Sequence, residues 1–377
     1  MIEEVRKMYG RLLKKFHIEK GGPADYTILL LTIMLVLFGI VMVFSSSYYY
    51  AMQHPKIDDM YYFVKNQASY ALIGMAALTF TACFPYKIYK KFAFLGYAGA
   101  NALLVAVLII AEATKGSKRW LFGFQPSELA KVAVILFLAF YISSHKDCLK
   151  DIKGFLKCLV ILAVPVVLIG AANLSTAIIV FAVGIAMLFV ASKKMWYFFV
   201  GGGFLGVAGC IALFLPQFAY RLDRITAWKD PFSDPTDLGY QIIQSLYAIA
   251  SGGLFGLGLG QSRQKTFIPE PYNDFIFSII CEELGFIGAA AVILLFAMLV
   301  WRGVRVAMKS KDTFGCLVAT GITALIAVQV IINISVATNT IPNTGIALPF
   351  ISYGGTSLVI LMASVGILMN ISRYNKD

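Results

Sequence analysis

The sequence has little charge for its length. Only 14% of its 377 residues are Asp, Glu, Lys or Arg, whereas 59% are hydrophobic and the mean hydropathy is +0.78. A soluble domain is typically about 45–50% apolar and about 25% charged, because polar groups must cover much of its surface. This shortage of charge excludes a soluble enzyme and a disordered chain, and it indicates an integral membrane protein.

Cysteine and histidine are also scarce. The six cysteines are spread singly without a C-x-x-C pair, and the three histidines lie far apart in the sequence. Single cysteines in apolar runs are typical of small buried side chains, not of a disulfide framework or a zinc site. Acidic residues are outnumbered by basic ones, 20 to 32, which gives a net charge of +12. In a membrane protein such an excess is first of all a topology signal.

Long apolar runs predict ten transmembrane helices, since one span needs about 20 mostly apolar residues. Lys and Arg are concentrated on the side of the membrane that holds both termini, so the positive-inside rule places the termini in the cytoplasm. We therefore expect an all-α membrane protein with a basic cytoplasmic segment at 1–26, a ten-helix domain at 27–371 and a cytoplasmic tail at 372–377. The expected spans are residues 27–45, 67–84, 92–111, 127–144, 155–171, 174–190, 196–216, 275–301, 313–337 and 348–371.

One predicted loop is much longer than the others. Residues 217–274 separate spans seven and eight on the outer side, and they include a semi-apolar stretch at 239–251 and a Gly-rich run at 252–260. Long loops without low complexity are usually functional. The 239–251 stretch is too short to cross a membrane and suits an interfacial or re-entrant helix.

The end of this loop carries candidate functional residues. Asp274, directly before span eight, either caps that helix or acts as an ionised carboxylate that accepts a proton as a general base. Glu270 is either its partner or a solvated loop charge. Arg263, Gln264 and Lys265 follow the glycines, where backbone amides and basic side chains could bind phosphate. The alternative for that stretch is close packing of the loop.

A pair of charges lies at the start of span four. Glu128 and Lys131 are three residues apart, and intramembrane charges are costly and usually paired. The spacing favours a structural ion pair. Arg119, shortly before this pair, suits an interfacial anchor or a contact to a lipid phosphate.

The start of span ten is rich in small residues. Ser352, Gly354 and Gly355 belong to the run Pro349-Phe-Ile-Ser-Tyr-Gly-Gly-Thr-Ser. Small residues permit close approach of helices, and a double glycine also permits a broken helix that lines a cavity.

Several of these motifs follow one another in a fixed order. They are Gln125-Pro-Ser-Glu-Leu-Ala-Lys131, Trp228-Lys-Asp-Pro, Gly239-Tyr-Gln, Pro269-Glu270, Asp274-Phe-Ile-Phe, Glu282-Glu-Leu-Gly and the run that starts at Pro349. In content and order they resemble the SEDS family, the shape, elongation, division and sporulation proteins. The resemblance covers nearly the whole chain after residue 25.

The resemblance implies a peptidoglycan glycosyltransferase of the bacterial cytoplasmic membrane. Members polymerise lipid II, the undecaprenyl-pyrophosphate-linked disaccharide pentapeptide, at the outer face of the membrane. Their partners are a monofunctional class B penicillin-binding transpeptidase and other divisome or elongasome proteins, with no nucleic acid. A lipid II flippase, or a non-catalytic scaffold for a transpeptidase, remains an alternative, since many spans with intramembrane charges also suit a transporter.

The resemblance also implies roles for individual residues. The essential acidic residue of the family falls on Asp274, as the general base on the acceptor hydroxyl. The resemblance assigns no cofactor, and a divalent cation such as Mg²⁺ or Mn²⁺ is the alternative to a basic side chain at the pyrophosphate. The expected substrate-binding residues are Arg119, Arg263, Gln264, Lys265, Glu270, Ser352, Gly354 and Gly355.

Two positions depart from the common pattern of the family. Asn173 stands where many members have an acid, so we assign that position no catalytic role. Thr344 stands where many division-type members have a Lys, and Thr there is like the elongation type. The closing stretch at 366–373 is nevertheless more similar to the division and sporulation members.

Overall fold

The computed structural model describes residues 22–53, 57, 59–110, 120–121, 123–145, 147–192, 194, 196–198, 226, 228–236 and 239–375. Its α-helices are α1 (Tyr26–Gln53), α2 (Tyr62–Cys83), α3 (Tyr86–Ile110), α4 (Pro126–Ser144), α5 (Ile152–Ala172), α6 (Leu174–Ala191), α7 (Tyr240–Gly252), α8 (Ile276–Lys309), α9 (Thr313–Ala337) and α10 (Gly355–Ser372).

The fold is that of a multi-pass membrane protein. Eight of the described helices, all except α2 and α7, are long and apolar enough to cross a membrane. Helix α2 has 22 residues but a more polar sequence, and it packs most extensively against α10. The expected all-helical membrane fold is confirmed. Span seven lies outside the described residues except for 196–198, so the count of ten spans remains a prediction.

Short polar signals fix where several helices begin. Pro126 occupies the first turn of α4, where its missing N–H leaves no hydrogen bond unmade. The side chain of Asn173 caps α6 by accepting a hydrogen bond from Thr176 N at 3.2 Å. Asp312 caps α9 in the same way through Gly315 N at 2.8 Å. Because these caps set the ends of α4 and α6, they also set where the polar residues of both helices lie.

Helices pack closely where one of them carries a small residue. A Cβ atom on Gly366 of α10 would collide with Thr81 and the Leu78 backbone of α2. Thr81 Oγ1 donates to the Ala363 carbonyl of α10 at 2.8 Å. In lipid, tight packing and interhelical hydrogen bonds of this kind drive association, because the tails are as apolar as the side chains.

Helix α8 is broken at Gly285, where the backbone has φ +67°. The carbonyls of Glu282 and Glu283 accept from Leu257 N at 2.9 Å and Gly258 N at 3.0 Å, and Phe286 N donates to the Gly253 carbonyl at 2.9 Å. The Gly-rich run therefore supplies the backbone hydrogen bonds that the kink removes. At membrane depth such replacement is needed, since unpaired backbone groups are costly there.

The last helix begins later than the sequence predicts. The apolar pattern predicts span ten from residue 348, but α10 starts at Gly355. The segment before it is irregular, with φ +63° at Phe350, and its backbone lies against Gly39 of α1, where a Cβ atom would not fit. Its amides are nonetheless paired, for example Tyr353 N with the Tyr272 carbonyl at 2.9 Å. Of the two arrangements expected for this run, close helix packing and a broken helix, the structure therefore shows the broken helix.

A polar cavity as the candidate active site

A cavity of about 590 Å³ lies among the polar motifs. Helices α4, α6, α7 and α9 contribute to its wall, together with the segments that precede α8 and α10. Its polar and charged lining residues are Gln125, Glu128, Lys131, Asn173, Thr176, Gln241, Glu270, Asn273, Asp274, Gln329, Thr356 and Ser357, and Tyr50, Trp120 and Tyr353 add aromatic surface.

Asp274 is held on this wall through its backbone. The fully buried Asn333 of α9 donates from Nδ2 to the Asp274 carbonyl at 2.8 Å and to the Ile346 carbonyl at 2.7 Å. One amide thus ties the loop that carries Asp274 to the loop before α10. Helix α8 is capped at Phe275, without a side-chain hydrogen bond. Asp274 is therefore not the N-cap of helix α8, and the capping alternative is wrong.

Gly345 provides the space beside the Asp274 carboxylate. Its φ is +65°, a conformation that side chains other than glycine rarely adopt. A Cβ atom added to Gly345 would lie 3.3 Å from Asp274 Oδ2. The glycine therefore meets both a backbone requirement and a space requirement next to the carboxylate.

Ser352 stabilises the loops and does not line the cavity. Its hydroxyl donates to the Asn273 carbonyl at 2.7 Å and accepts from Leu348 N at 2.8 Å, and the residue is buried. The expectation that Ser352 binds substrate directly is corrected, because its hydrogen bonds are used within the protein. Gly354 and Gly355, expected alongside it, do line the cavity.

Glu128 and Lys131 are paired on the cavity wall. Lys131 Nζ lies 2.8 Å from Glu128 Oε1, and the Lys131 and Glu128 side chains are 3% and 8% exposed respectively. The ion pair expected from their spacing is thus present, and both residues line the cavity. Among the residues that the structure describes, Lys131 is the only lysine or arginine on the wall of this cavity.

Lys265 points elsewhere, into a buried polar cluster. Its ammonium lies 3.4 Å from Glu283 Oε1 and 4.6 Å from the ring centre of Tyr48, and it donates to the Gly260 carbonyl at 2.5 Å. Burial of the side chain among these partners keeps it off the cavity wall. The expectation that Lys265 meets a pyrophosphate is therefore corrected.

Arg263 and Gln264 are held by Glu282. This fully buried carboxylate accepts from Arg263 N at 3.0 Å, from Gln264 N at 3.2 Å and from the hydroxyl of Ser262. The Arg263 side chain is exposed, and neither residue lines the cavity. Their predicted contact with substrate stays a prediction: Glu282 organises this loop through its backbone, and neither residue lines this cavity.

An aromatic cluster supports the wall near the two loops. Tyr272 packs against Phe63 at 4.3 Å, Tyr50 at 5.5 Å and Tyr353 at 5.7 Å between ring centres. Burial raises the pKa of the Tyr272 phenol, and the nearby Glu270 carboxylate adds to this shift. Tyr272 therefore stays neutral at physiological pH, and the cluster adds no charge to the site.

The structure thus brings together part of the predicted site. Asp274, Glu270, Gly354, Gly355 and the Glu128–Lys131 pair share one cavity. Arg119 lies outside the described residues.

Several polar wall residues are not among the residues that the sequence predicts for the site, and they include Asn173, Thr176, Gln241 and Gln329. A buried Gln in the middle of an apolar span is the available signal for Gln329, since polar residues inside spans are usually functional. The sequence does not predict Asn173, because it stands where many family members have an acidic residue.

The helical bundle and the polar cavity between its helices define a multi-pass membrane protein with a polar site. The sequence model of the family described as "Cell cycle protein" (FTSW_RODA_SPOVE) matches residues 26–377. The chain belongs to this family.

Relatives with similar sequences cover almost the whole chain. Stage V sporulation protein E of Bacillus subtilis is 42% identical over 95% of this chain and 99% of its own length. The probable peptidoglycan glycosyltransferase FtsW of Geobacter sp. is 42% identical over 92% of this chain and 96% of its own length.

Solved structures show the same fold. A chain from a structure on polymerization and crosslinking by a peptidoglycan synthase complex matches with a TM-score of 0.79 and 24% identity, covering 93% of this chain and 98% of that one. The rod shape determining protein RodA of Thermus thermophilus matches with a TM-score of 0.68 and 22% identity, covering 94% of this chain and 98% of its own.

Proposed function

We propose that this chain is a peptidoglycan glycosyltransferase that polymerises lipid II into glycan strands, with Asp274 as the general base. The observation that carries the proposal is the position of Asp274 on the wall of a 590 Å³ polar cavity, together with Lys131. The relatives named as glycosyltransferases at 40–42% identity support the same reaction.

The reaction transfers a glycosyl group from a lipid pyrophosphate to a sugar hydroxyl. Asp274 takes the proton of the acceptor 4-hydroxyl as that oxygen forms a bond to the anomeric carbon of the donor. The bond from the anomeric carbon to the pyrophosphate oxygen breaks, and its electron pair leaves with the pyrophosphate. This leaving group needs no proton from a general acid, so one carboxylate suffices.

Lys131 is our candidate for stabilising the leaving group. Its ammonium has three N–H donors, and Glu128 accepts from it at 2.8 Å. A fixed positive charge in a largely buried site stabilises developing negative charge more strongly than it would in water. This assigns to Lys131 the role that the sequence predicts for Arg263 and Lys265.

The mechanism uses only groups that the protein itself supplies. Among the residues described, no three His, Cys, Asp or Glu side chains converge as a metal site. A Mg²⁺ or Mn²⁺ ion that binds together with a pyrophosphate needs only one or two protein carboxylates, so the divalent cation stays a prediction from the sequence. The fixed positive charge that the protein itself supplies near the pyrophosphate is assigned to Lys131.

The setting of the reaction follows from the same proposal. We place the protein in the bacterial cytoplasmic membrane with both termini inside, the 217–274 loop outside, and the cavity facing the outer leaflet, where the polyprenyl tail of the substrate lies. A class B penicillin-binding transpeptidase is the proposed partner, within a divisome or elongasome. The structural likeness to a chain of a polymerising and crosslinking complex supports such a partner.

The test is polymerisation of lipid II by the purified chain in detergent. Detergent removes the two sides of the membrane, so polymer formation identifies an enzyme and not a flippase. Asp274→Asn should abolish polymer, because Asn has nearly the same shape but no basic carboxylate, and the backbone bond from Asn333 remains. Asp59→Asn, at an exposed carboxylate paired with Lys65, serves as the control and should retain activity.

The possible results separate the alternatives. No polymer from the wild type, with or without a transpeptidase partner, would contradict the enzyme and favour a scaffold or a flippase. Polymer from the wild type and equal polymer from Asp274→Asn would retain the enzyme but remove the general-base assignment.

A further inference from the structure

Two buried side chains on the cavity wall have an oxygen atom without a hydrogen-bond partner. Glu128 Oε1 pairs with Lys131, whereas Glu128 Oε2 has no partner among the residues described. Gln329 Oε1, in the middle of α9, is in the same state. The two residues are only 6% and 4% exposed, and both line the cavity.

The other buried carboxylates of this region are fully paired. Glu282 accepts hydrogen bonds at both oxygens, from the loop amides and from Ser262. Glu283 also accepts at both, from Lys265 at 3.4 Å and from Ser45 at 2.5 Å. Full pairing is the rule for buried polar atoms, and exceptions call for a specific explanation. Of the eleven unpaired buried side-chain atoms among the described residues, only those of Glu128 and Gln329 belong to residues that line the cavity, where a ligand can complete them.

The ligand must supply O–H or N–H donors. A carboxylate oxygen only accepts hydrogen bonds, and an amide both donates and accepts, as a sugar hydroxyl does. Pyrophosphate oxygens would repel Glu128, and a polyprenyl tail offers no donors. Sugar hydroxyls and acetamido N–H groups match both side chains.

We propose that Glu128 and Gln329 form a saccharide subsite, which binds hydroxyl or acetamido groups of the sugar linked to the substrate pyrophosphate. The inference rests on the proposed function, because it takes Lys131 to lie at the pyrophosphate. Glu128 is one helical turn from Lys131 on the same face of α4, and the first sugar is bonded directly to the pyrophosphate. The subsite thus determines specificity, holding the donor sugar while Asp274 acts on the acceptor.

The test compares a matched pair of variants on α9. Gln329→Met keeps the side-chain length and removes the amide. Thr323→Val is the control: Thr323 is also buried, and its Oγ1 also has no partner among the described residues, but it lies against Gly303 of α8 and away from the cavity. Each substitution deletes an unpaired buried polar group, so each variant should fold and melt at or above the wild-type temperature.

Binding is measured in detergent with three probes: lipid II, its peptide-free disaccharide pyrophosphate form, and undecaprenyl pyrophosphate. Gln329→Met should weaken both saccharide probes by about tenfold, the loss expected for about one hydrogen bond, and leave undecaprenyl pyrophosphate unchanged. Glu128→Gln should likewise reduce the preference for the two saccharide probes over undecaprenyl pyrophosphate. Thr323→Val should bind all three as the wild type does.

Other results overturn the inference in distinguishable ways. If the wild type prefers the saccharide probes and Gln329→Met keeps that preference, the subsite is wrong and the proposed function stands. If only lipid II is weakened, the contact is to the peptide and the saccharide subsite is wrong. If the wild type binds none of the probes, the proposed function itself fails.

Discussion

The side chain of Asn333 holds the backbone of Asp274. Its Nδ2 atom donates to the Asp274 carbonyl at 2.8 Å and to the Ile346 carbonyl at 2.7 Å, at the place where two irregular segments meet the cavity. A single buried amide therefore fixes the position of the candidate base relative to the loop before α10.

Asn333→Ala should lower polymerisation per folded molecule by more than its loss of stability explains. The variant leaves buried carbonyls unpaired, which costs about 1–3 kcal/mol, and it frees the loop that carries Asp274. The measurements are thermal unfolding and the initial rate with lipid II.

Asn370 offers a matched control for this variant. It is equally buried and also bridges two backbone groups, Tyr86 N at 2.8 Å and the Ala82 carbonyl at 2.7 Å. It lies fifteen residues after Gly355 along α10, about 22 Å from the cavity end of that helix. Asn370→Ala should lose similar stability but keep its rate per folded molecule. Equal rate losses in the two variants would contradict a positioning role for Asn333.

Gly345→Ala should reduce activity strongly. An Ala at φ +65° is strained by roughly 1–2 kcal/mol, and its Cβ would lie 3.3 Å from Asp274 Oδ2. The carboxylate or the loop must then shift, and the rate should fall further than the melting temperature predicts.

Gly260→Ala separates backbone strain from crowding of the carboxylate. Gly260 has φ +79°, but a Cβ atom there would meet no described atom within 4 Å. Its variant should be destabilised to a similar extent and remain active. An active Gly345→Ala enzyme would show that the space beside Asp274 is not required.

The Glu128–Lys131 pair should contribute to stability only as a pair. Removing one partner, as in Lys131→Met or Glu128→Leu, leaves a buried charge alone and should cost about 3–5 kcal/mol. Replacing both residues by apolar ones should cost less than either single change. Thermal unfolding of the three variants tests this, and the idea fails if the double variant is the least stable.

Glu282→Gln should loosen the loop at 260–266. The carboxylate accepts hydrogen bonds from Arg263 N, Gln264 N and Ser262, and an amide in its place would direct N–H groups at some of these donors. Because hydrogen bonds to charged groups contribute about 1.5–3 kcal/mol, we expect at least about tenfold faster tryptic cleavage after the exposed Arg263.

The control for this loop is Glu270→Gln, whose carboxylate accepts from Asn273 at 3.4 Å instead of from the loop at 260–266. Its cleavage rate after Arg263 should equal that of the wild type. An unchanged rate in Glu282→Gln would mean that Glu282 does not organise the loop.

The sequence alone determined that the chain is an all-helical membrane protein, and it placed most of the described helices. Membrane spans are long and apolar, so composition and run length reveal them, and the charge asymmetry predicts their orientation across the membrane. A polar residue in such a chain stands out against its apolar surroundings, so the polar motifs can be recognised. For this reason the sequence is sufficient to single out Asp274, Glu270 and the Glu128–Lys131 pair, which the structure brings to one cavity.

Only the tertiary structure decided which way these motifs face. Lys265 and Lys131 are both basic residues near the expected outer surface. Lys265 is nevertheless buried beside Glu283 and Tyr48, whereas Lys131 lines the cavity. Ser352 has the hydroxyl of a ligand-binding residue but is used between loops. Side-chain direction depends on partners that lie far apart in the chain, and these meet only when the helices pack. For the same reason, the sequence shows Gln329 only as one amide in an apolar helix, and its position on the cavity wall is known only from the structure.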